Sequence, residues 1–219
     1  MKNSGIDWIG EVPEDWEEKR IKYTINFTSG GKWGDEPKYN NLEPLFYVLR
    51  VADFDYQNLT CINPETIRTL QLDEDSPLLL RKDDLVIEKS GGGEKTPVGR
   101  VIRIKKDFIN PTIFSNFTNV IRANTKIVIP QFLNYLFSTL YTSQSIKKFI
   151  KQTTGIQNLD LSDLFSQYFV LPTIEKQKKI ADYLDKKTEQ IHSLIENNEK
   201  KIELLEEHRS TLISNVVTG

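Results

Sequence analysis

The chain has 219 residues, with 29 basic and 31 acidic side chains and a formal net charge of −2, which is enough for one sizeable core and an appendage. A single cysteine, Cys61, excludes an internal disulfide. No run approaches the roughly 20 apolar residues of a membrane span or the pattern of a signal peptide. We therefore expect a protein of the reducing cytoplasm.

The near-neutral net charge does not by itself indicate nucleic-acid binding, which usually needs a basic field. Residues 1–80 are acidic, whereas residues 81–126 hold ten basic and five acidic side chains. This excess is compatible with ordinary scatter on a solvated surface or with a basic patch that faces phosphate. Charge alone does not decide between the two.

Glycine, proline, asparagine and aspartate residues separate the predicted strands along the chain. Residues 4–16 hold two Trp, two Gly and a Pro without a clear period, which indicates a strap whose indoles dock on the domain. Runs rich in β-branched and aromatic residues predict strands in a mixed or antiparallel sheet. These runs are residues 45–51, 84–88, 98–104 and 117–122.

Pro130 begins a predicted helix with a 3-4 apolar spacing, and we expect it to end near Ile150. A Thr-Thr-Gly loop follows, and a short segment closes the domain at Pro172. The predicted fold class is α+β, with a globular mixed-sheet domain over residues 1–171 and a long C-terminal coiled-coil helix within residues 172–219.

The long helix is predicted from Glu175 to Val216, with Thr173 as its cap and no internal Gly or Pro. A heptad stripe with three polar interruptions runs along it, and such interruptions tend to fix register or orientation. The stripe predicts pairing with another helix, although a purely structural coiled coil would explain it equally well. Its members are Ala181, Leu184, Thr188, Ile191, Ile195, Asn198, Ile202, Leu205, Arg209, Leu212 and Val216.

Catalytic and metal-binding constellations find no support in the sequence. His192 and His208 lie sixteen residues apart on the predicted helix, and neither has a partner at metal-ligand spacing. The run from Ser90 to Thr96 differs from a phosphate loop because Glu94 stands where glycine must precede the lysine. We therefore expect no catalytic, metal or cofactor site from these residues.

Two polar loops could contact nucleic acid. Three glycines, residues 91–93, permit close backbone approach, and lysine and hydroxyl donors surround them, although a flexible hairpin connection explains the run equally well. Gln157 and Asn158 could make bidentate contacts to adenine. A turn bonded to its own backbone is the alternative there, and we favour that structural role.

Several motifs together resemble the specificity (S) subunit of type I restriction-modification systems, over the whole chain. They are SGIDWIGEVP at 4–13 with DWE at 15–17, EKSGGGEKTPVGR at 88–100, TGIQNL at 154–159, LP at 171–172 leading to QKKIADYLD at 177–185, and STLISNVVTG at 210–219.

The resemblance implies that residues 1–171 form a target-recognition domain for double-stranded DNA and that the helix is a spacer. The usual subunit has two such domain-helix units and this sequence has one, so it resembles a half subunit that pairs with a second copy of itself. It also implies a methyltransferase (M) partner, which holds S-adenosylmethionine, and a motor-nuclease (R) partner. An antiparallel homodimer would then read an interrupted palindrome.

Within that frame, the candidate residues for base and phosphate contact are polar, basic or aromatic side chains in or near the loops. They are Lys32, Trp33, Arg50, Lys89, Ser90, Lys95, Arg100, Arg122, Gln157 and Asn158. Two rival functions share much of this evidence. One is a regulatory half subunit that competes for the methyltransferase, and the other is a coiled-coil interaction protein unrelated to DNA.

Overall fold

The computed structural model describes residues 1–6, 9–38, 44–73, 75–152 and 155–219. Asp7 and Trp8 of the predicted strap, and Thr153 and Thr154 of the predicted loop, lie outside the described residues. The strands in these ranges are β1 (Lys2–Asn3), β2 (Glu11–Val12), β3 (Glu17–Arg20), β4 (Ile25–Gly30), β5 (Leu45–Leu49), β6 (Phe54–Asp55), β7 (Thr60–Cys61), β8 (Ile67–Thr69), β9 (Leu85–Glu88), β10 (Ser90–Gly91), β11 (Val101–Arg103), β12 (Thr112–Phe114), β13 (Thr118–Ala123), β14 (Ile150–Gln152), β15 (Gln157–Leu159) and β16 (Tyr168–Leu171).

The strands of the described ranges form several small sheets, and both strand directions occur. A four-stranded antiparallel sheet has the order β11-β9-β13-β4. A second sheet has the order β12-β5-β8, in which β12 and β5 run parallel and β5 and β8 antiparallel. A third has the order β10-β15-β14, and β1–β2, β6–β7 and β3–β16 form pairs. The prediction of a mixed-sheet α+β fold is confirmed.

The main core is one apolar cluster shared by the β11-β9-β13-β4 sheet and the β12-β5-β8 sheet. Val86, Ile102 and Val120 are register partners across three neighbouring strands, so their side chains fall on the same face of the sheet. Leu49 of β5 and Phe114 of β12 belong to the same buried cluster. Each of the four predicted strands contributes to this core, whereas β12, which carries Phe114, was not among the predicted strands.

Helix α1 (Pro130–Thr142) begins where proline predicted it but ends earlier than the expected Ile150. The hydroxyl of Ser143 bonds back to a carbonyl of the last turn, and Gln144 adopts a left-handed conformation with φ 62°. These are the features of a helix C-terminus. A 3₁₀ turn, Ser145–Phe149, follows and buries Ile146.

Helix α2 (Leu161–Ser166) is short, and helix α3 (Ile174–Thr218) has 45 residues. The long helix agrees with its prediction within two residues at each end. The Oγ1 atom of Thr173 lies 3.5 Å from the N–H of Lys176, in the position of the predicted cap. No helix of the described ranges is apolar over a sufficient length to cross a membrane.

The chain divides into two compact units, Met1–Lys178 and Lys179–Gly219, so the first turn of α3 belongs to the unit that holds the sheets. Gln177 in that turn is fully buried. Its Nε2 donates to the carbonyls of Ile127 (3.0 Å) and Pro172 (2.9 Å), and its Oε1 accepts the N–H of Ile129 at 2.9 Å. One side chain thus satisfies three backbone groups around the start of α3.

We predict that Gln177→Leu lowers the free energy of unfolding by roughly 3 kcal/mol, because buried backbone groups that lose their partners cost about 1–3 kcal/mol each. Urea unfolding followed by tryptophan fluorescence, at one fixed protein concentration, measures the difference. Lys178→Leu is the control, since Lys178 is exposed. Equal midpoints for Gln177→Leu and the unchanged chain would contradict the assignment.

Candidate nucleic-acid interface

The two polar loops singled out in the sequence are neighbours in the fold. Strand β10 of the glycine-rich run pairs with β15, so that Ser90 lies opposite Asn158 and Gly91 opposite Gln157. The Oγ of Ser90 donates to the Oδ1 of Asn158 at 2.7 Å. Two segments nearly seventy residues apart therefore form one small sheet.

The glycine run forms a loop of fixed conformation, and this conformation requires a glycine at position 92. Gly92 has φ +60°, and a Cβ there would lie 2.8 Å from the backbone nitrogen of Val98. The Oε1 of Gln157 accepts the N–H of Val98 at 3.2 Å, and the N–H of Gly93 donates to the carbonyl of Thr96 at 3.0 Å. The hairpin is thus fixed by hydrogen bonds on both sides.

An open groove with a volume of about 510 Å³ lies beside this loop. It combines two arginines, two aromatic rings, small hydroxyl side chains and glycine backbone, a mixture that suits the edges and faces of nucleic-acid bases. The lining residues are Trp33, Arg50, Val51, Ala52, Glu88, Ser90, Gly91, Gly92, Thr96, Arg100, Ser115 and Phe117.

Each groove arginine is bound to a buried carboxylate in the same way. Arg100 donates from Nε to Oε2 of Glu88 at 2.8 Å and from Nη2 to Oε1 at 3.1 Å. Arg50 donates from Nε to Oδ2 of Asp53 at 3.2 Å and from Nη2 to Oδ1 at 2.9 Å. The carboxylate side chains of Glu88 and Asp53 are only 2% and 4% exposed, respectively. Each guanidinium is therefore held in a fixed orientation by a buried partner.

These ion pairs keep the groove arginines charged. The hydrogen bonds that Arg100 donates to Glu88 raise the pKa of Arg100, and those that Arg50 donates to Asp53 raise the pKa of Arg50. Two tyrosines within electrostatic reach of Arg100 stay neutral at physiological pH, because burial raises the pKa of Tyr56 to about 12 and also raises that of Tyr141. The two arginines therefore stay charged and the two tyrosines stay neutral near neutral pH.

Two aromatic residues line the groove, and sequence reasoning identified one of them. The guanidinium of Arg68 lies 4.7 Å from the ring centre of Trp33, which restrains the predicted indole. Phe117 was missed as a site residue, although its side chain is 44% exposed. Its carbonyl accepts the N–H groups of Lys89 and Ser90, which places it beside the glycine loop. No local sequence signal reports this long-range contact.

The predicted lysines do not line the groove. Lys32 and Lys95 are exposed, and Lys89 is half-buried. Lys32 precedes Trp33, Lys89 precedes Ser90 and Lys95 precedes Thr96 in the chain, so all three are sequence neighbours of lining residues. Their flexible ammonium groups suit phosphate contact better than base reading.

Two other residues that were predicted to contact DNA are bound to groups within the domain. Arg122 donates to both oxygens of Asp84 and to the carbonyl of Leu79, and its guanidinium lies 5.0 Å from the ring centre of Phe27. Gln157 is buried and bound to the glycine loop. Neither residue lines the groove. Asn158 is exposed and bonded to Ser90, which does line it.

Three basic side chains of residues 81–126 are paired with acidic side chains of the same segment. Arg100 pairs with Glu88, Arg103 with Asp83 and Arg122 with Asp84. The net basic excess of the segment is therefore carried by Arg81 and the lysines, most of which are exposed. Among the described residues, no group of three or more His, Cys, Asp or Glu side chains could hold a metal ion.

The predicted seam of α3 changes in exposure along the helix. Ala181 is buried in the single chain, and Leu184 and Thr188 are half-buried. Leu194 and Ile213, exposed like most of the seam, widen its apolar stripe. From Ile191 onward the predicted seam residues are exposed, namely Ile191, Ile195, Asn198, Ile202, Leu205, Arg209, Leu212 and Val216.

Comparison with known proteins identifies the family to which the chain belongs. The family model described as the type I restriction modification DNA specificity domain matches residues 13–206. This match covers most of the chain, and the chain belongs to that family. The resemblance drawn from the sequence motifs is confirmed.

Similar curated proteins are specificity subunits of type I restriction enzymes. The MjaVIII subunit of Methanocaldococcus jannaschii is 25% identical over 214 residues, which are 96% of this chain and 47% of that protein. The EcoBI subunit of Escherichia coli is 26% identical over 200 residues, which are 87% of this chain and 38% of that protein. The chain thus spans about half the length of these relatives or less.

Solved structures of similar fold include the HsdS subunit from Thermoanaerobacter tengcongensis, with a TM-score of 0.59, 17% identity, and coverage of 94% of this chain and 50% of that one. A chain from a structure described as the structural basis underlying complex assembly and conformational transition of the type I R-M system has a TM-score of 0.63 and 18% identity, and the match covers 94% of this chain and 46% of that one. These likenesses support the fold.

We predict that Gly92→Ala destabilises the domain by about 1–3 kcal/mol, because a left-handed conformation costs an L-residue about 1–2 kcal/mol and the added Cβ meets the backbone of Val98. Gly93→Ala is the matched control: its Cβ would meet nothing within 4 Å, and the φ of Gly93 is not in the left-handed region. Thermal or urea unfolding compares the two. Equal losses in both variants would show that the loop is not held as described.

Proposed function

We propose that this chain is a sequence-specific DNA recognition subunit of a type I restriction-modification complex. One domain reads one half of a bipartite site, and α3 pairs with the α3 of a second copy and sets the distance between the halves. The chain is itself non-catalytic. It recruits a methyltransferase subunit, which holds S-adenosylmethionine, and a motor-nuclease subunit.

The observation that carries the proposal is the groove, in a chain that belongs to the DNA specificity domain family. Two arginines with fixed orientation, Ser90, Thr96 and two exposed aromatic rings converge on one open surface. Such a surface offers donors for base edges and ring faces for sugars or bases, while exposed lysines nearby can contact phosphates. A coiled-coil interaction protein unrelated to DNA would have no need of this arrangement.

Pairing through α3 is supported by the exposure of its apolar stripe. Ile202, Leu205 and Leu212 are each more than half exposed in the single chain. A long helix with such a stripe is stabilised in water when a second helix covers it. An antiparallel pair would place two identical domains about a two-fold axis, and that symmetry reads an interrupted palindrome.

Single-molecule sequencing of DNA from cells that express the chain with a type I methyltransferase subunit tests the proposal. We expect methylated adenines in an interrupted palindrome that vanishes when the chain is omitted. A chain that joins the methyltransferase in sedimentation but supports no methylation would instead be a regulatory subunit. Absence of both assembly and methylation would contradict the proposal.

We predict that the spacer of the recognised site follows the length of α3. A seven-residue insertion in the exposed part of the helix keeps the heptad phase and adds about 10 Å. At 3.4 Å per base pair, the spacer should grow by about 3 base pairs. Methylation mapping of the variant measures the spacer. An unchanged spacer would mean that the helix does not set the distance.

Two adjacent leucines give a matched test of pairing. Leu205 lies in the stripe and Leu204 lies outside it, yet they are similarly exposed, 67% and 63%. We predict that Leu205→Asp weakens the dimer by at least about 100-fold, because two carboxylates enter an apolar seam. Leu204→Asp should leave the dimer unchanged. Analytical ultracentrifugation measures both, and equal effects of the two changes would contradict the seam.

A further inference from the structure

The groove arginines share a geometry that the proposed function does not require. Arg50 and Arg100 both use Nε and Nη2 on a buried carboxylate. A guanidinium carries five N–H donors, so each fork leaves both hydrogens of Nη1 and one of Nη2. Within the part of the chain that the structure describes, neither Nη1 makes a hydrogen bond, and both side chains line the groove.

In this geometry the arginines keep hydrogen-bond donors in fixed directions but add no net positive charge together with their partners. Each guanidinium is balanced by one carboxylate, so two positive groups face Asp53 and Glu88 and the set has no net charge. Such a set attracts a phosphate weakly, because the carboxylates repel it at close range. The planar forks nevertheless hold their remaining donors in fixed directions, which favours a neutral partner with two acceptors side by side.

Guanine is the base that offers such a pair in the major groove. Its O6 and N7 are adjacent acceptors, whereas adenine presents one donor beside N7 and cytosine presents a donor. Glu88 cannot serve the donors of those bases, because it is 2% exposed and both its oxygens already accept from Arg100. The same holds for Asp53, which is bound to Arg50 and buried.

We propose that Arg50 and Arg100 are specificity-determining residues of the groove, and that each recognises the O6 and N7 edge of a guanine in the half-site. The proposal rests on the proposed function, since it requires that the groove reads DNA. The lysines then supply the phosphate contacts, so that affinity and base choice depend on different side chains.

Selection of duplexes from a random library by the full-length chain, with its methyltransferase subunit present, tests the inference first. We expect a half-site with guanine at two fixed positions. Replacement of either guanine by 7-deazaguanine, which lacks the N7 acceptor, should weaken binding at least about 5-fold, since a good bidentate pair is worth roughly 5- to 150-fold. A selected half-site without guanine would overturn the inference and leave the proposed function intact, whereas failure to select any duplex would overturn both.

Variants of the arginines test which side chain reads which guanine. Arg100→Lys keeps a cation for Glu88, and therefore the fold, but loses the planar fork. We expect it to abolish the preference at one guanine position only, and Arg50→Lys to abolish it at the other. Uniform weakening on all duplexes, with the guanine preference retained, would show that the arginines contact phosphate and would overturn the inference.

A lysine variant gives the matched contrast in charge. Lys95→Ala should keep the preference for both guanines and lower the slope of log affinity against log salt by about 0.9, the value for one lost phosphate contact. Arg100→Lys should leave that slope unchanged. If Arg100→Lys changes the slope and keeps the base preference, the assignment of roles is reversed and the inference fails.

Discussion

The buried amide of Gln177 is the constraint on which the architecture depends most directly. Its three hydrogen bonds connect the first turn of α3, the end of β16 at Pro172 and the segment that leads into α1. An amide supplies two donors and an acceptor on one short side chain, and no apolar residue could satisfy these backbone groups. The start of the long helix is therefore fixed to the rest of the unit that holds the sheets by buried polar interactions.

The same logic operates at the groove, where buried polar groups orient exposed ones. Asp53 and Glu88 are taken out of water by the fold, and a buried carboxylate without a partner would be costly. Their arginine partners offset that cost when Nε and Nη2 bond both carboxylate oxygens, which fixes the orientation of each guanidinium. A surface that reads bases benefits from this restriction, because donors that are already oriented lose less entropy when they bind.

Local patterns in the sequence predicted much of the fold, and contacts between distant segments account for the rest. The long helix was predictable because its apolar residues recur with a helical period, and the strand over residues 84–88 because a short apolar run stands between two acidic residues. The end of α1 was not, since it depends on a left-handed residue, Gln144, that no composition rule singles out. Likewise, Trp33, Arg50, Ser90 and Arg100 were selected by residue type, but Phe117 joins them only through pairing between distant strands. Arg122 was selected on the same chemical grounds, and only its partner Asp84 reveals its structural setting.

The two forks differ in how far apart their halves lie in the chain, and this difference bears on how base preference could change during evolution. Arg50 and Asp53 stand three residues apart around one 3₁₀ turn, so a single short segment contains the whole fork. Arg100 and Glu88 lie on two segments joined by the glycine loop, and Glu88 is enclosed in the core sheet. Replacement of Arg50 and Asp53 together alters one turn, whereas replacement of Arg100 and Glu88 together alters two segments, one of which is a strand of the core sheet. One position of the proposed half-site can therefore change through a single short segment, and a change at the other also alters a core strand.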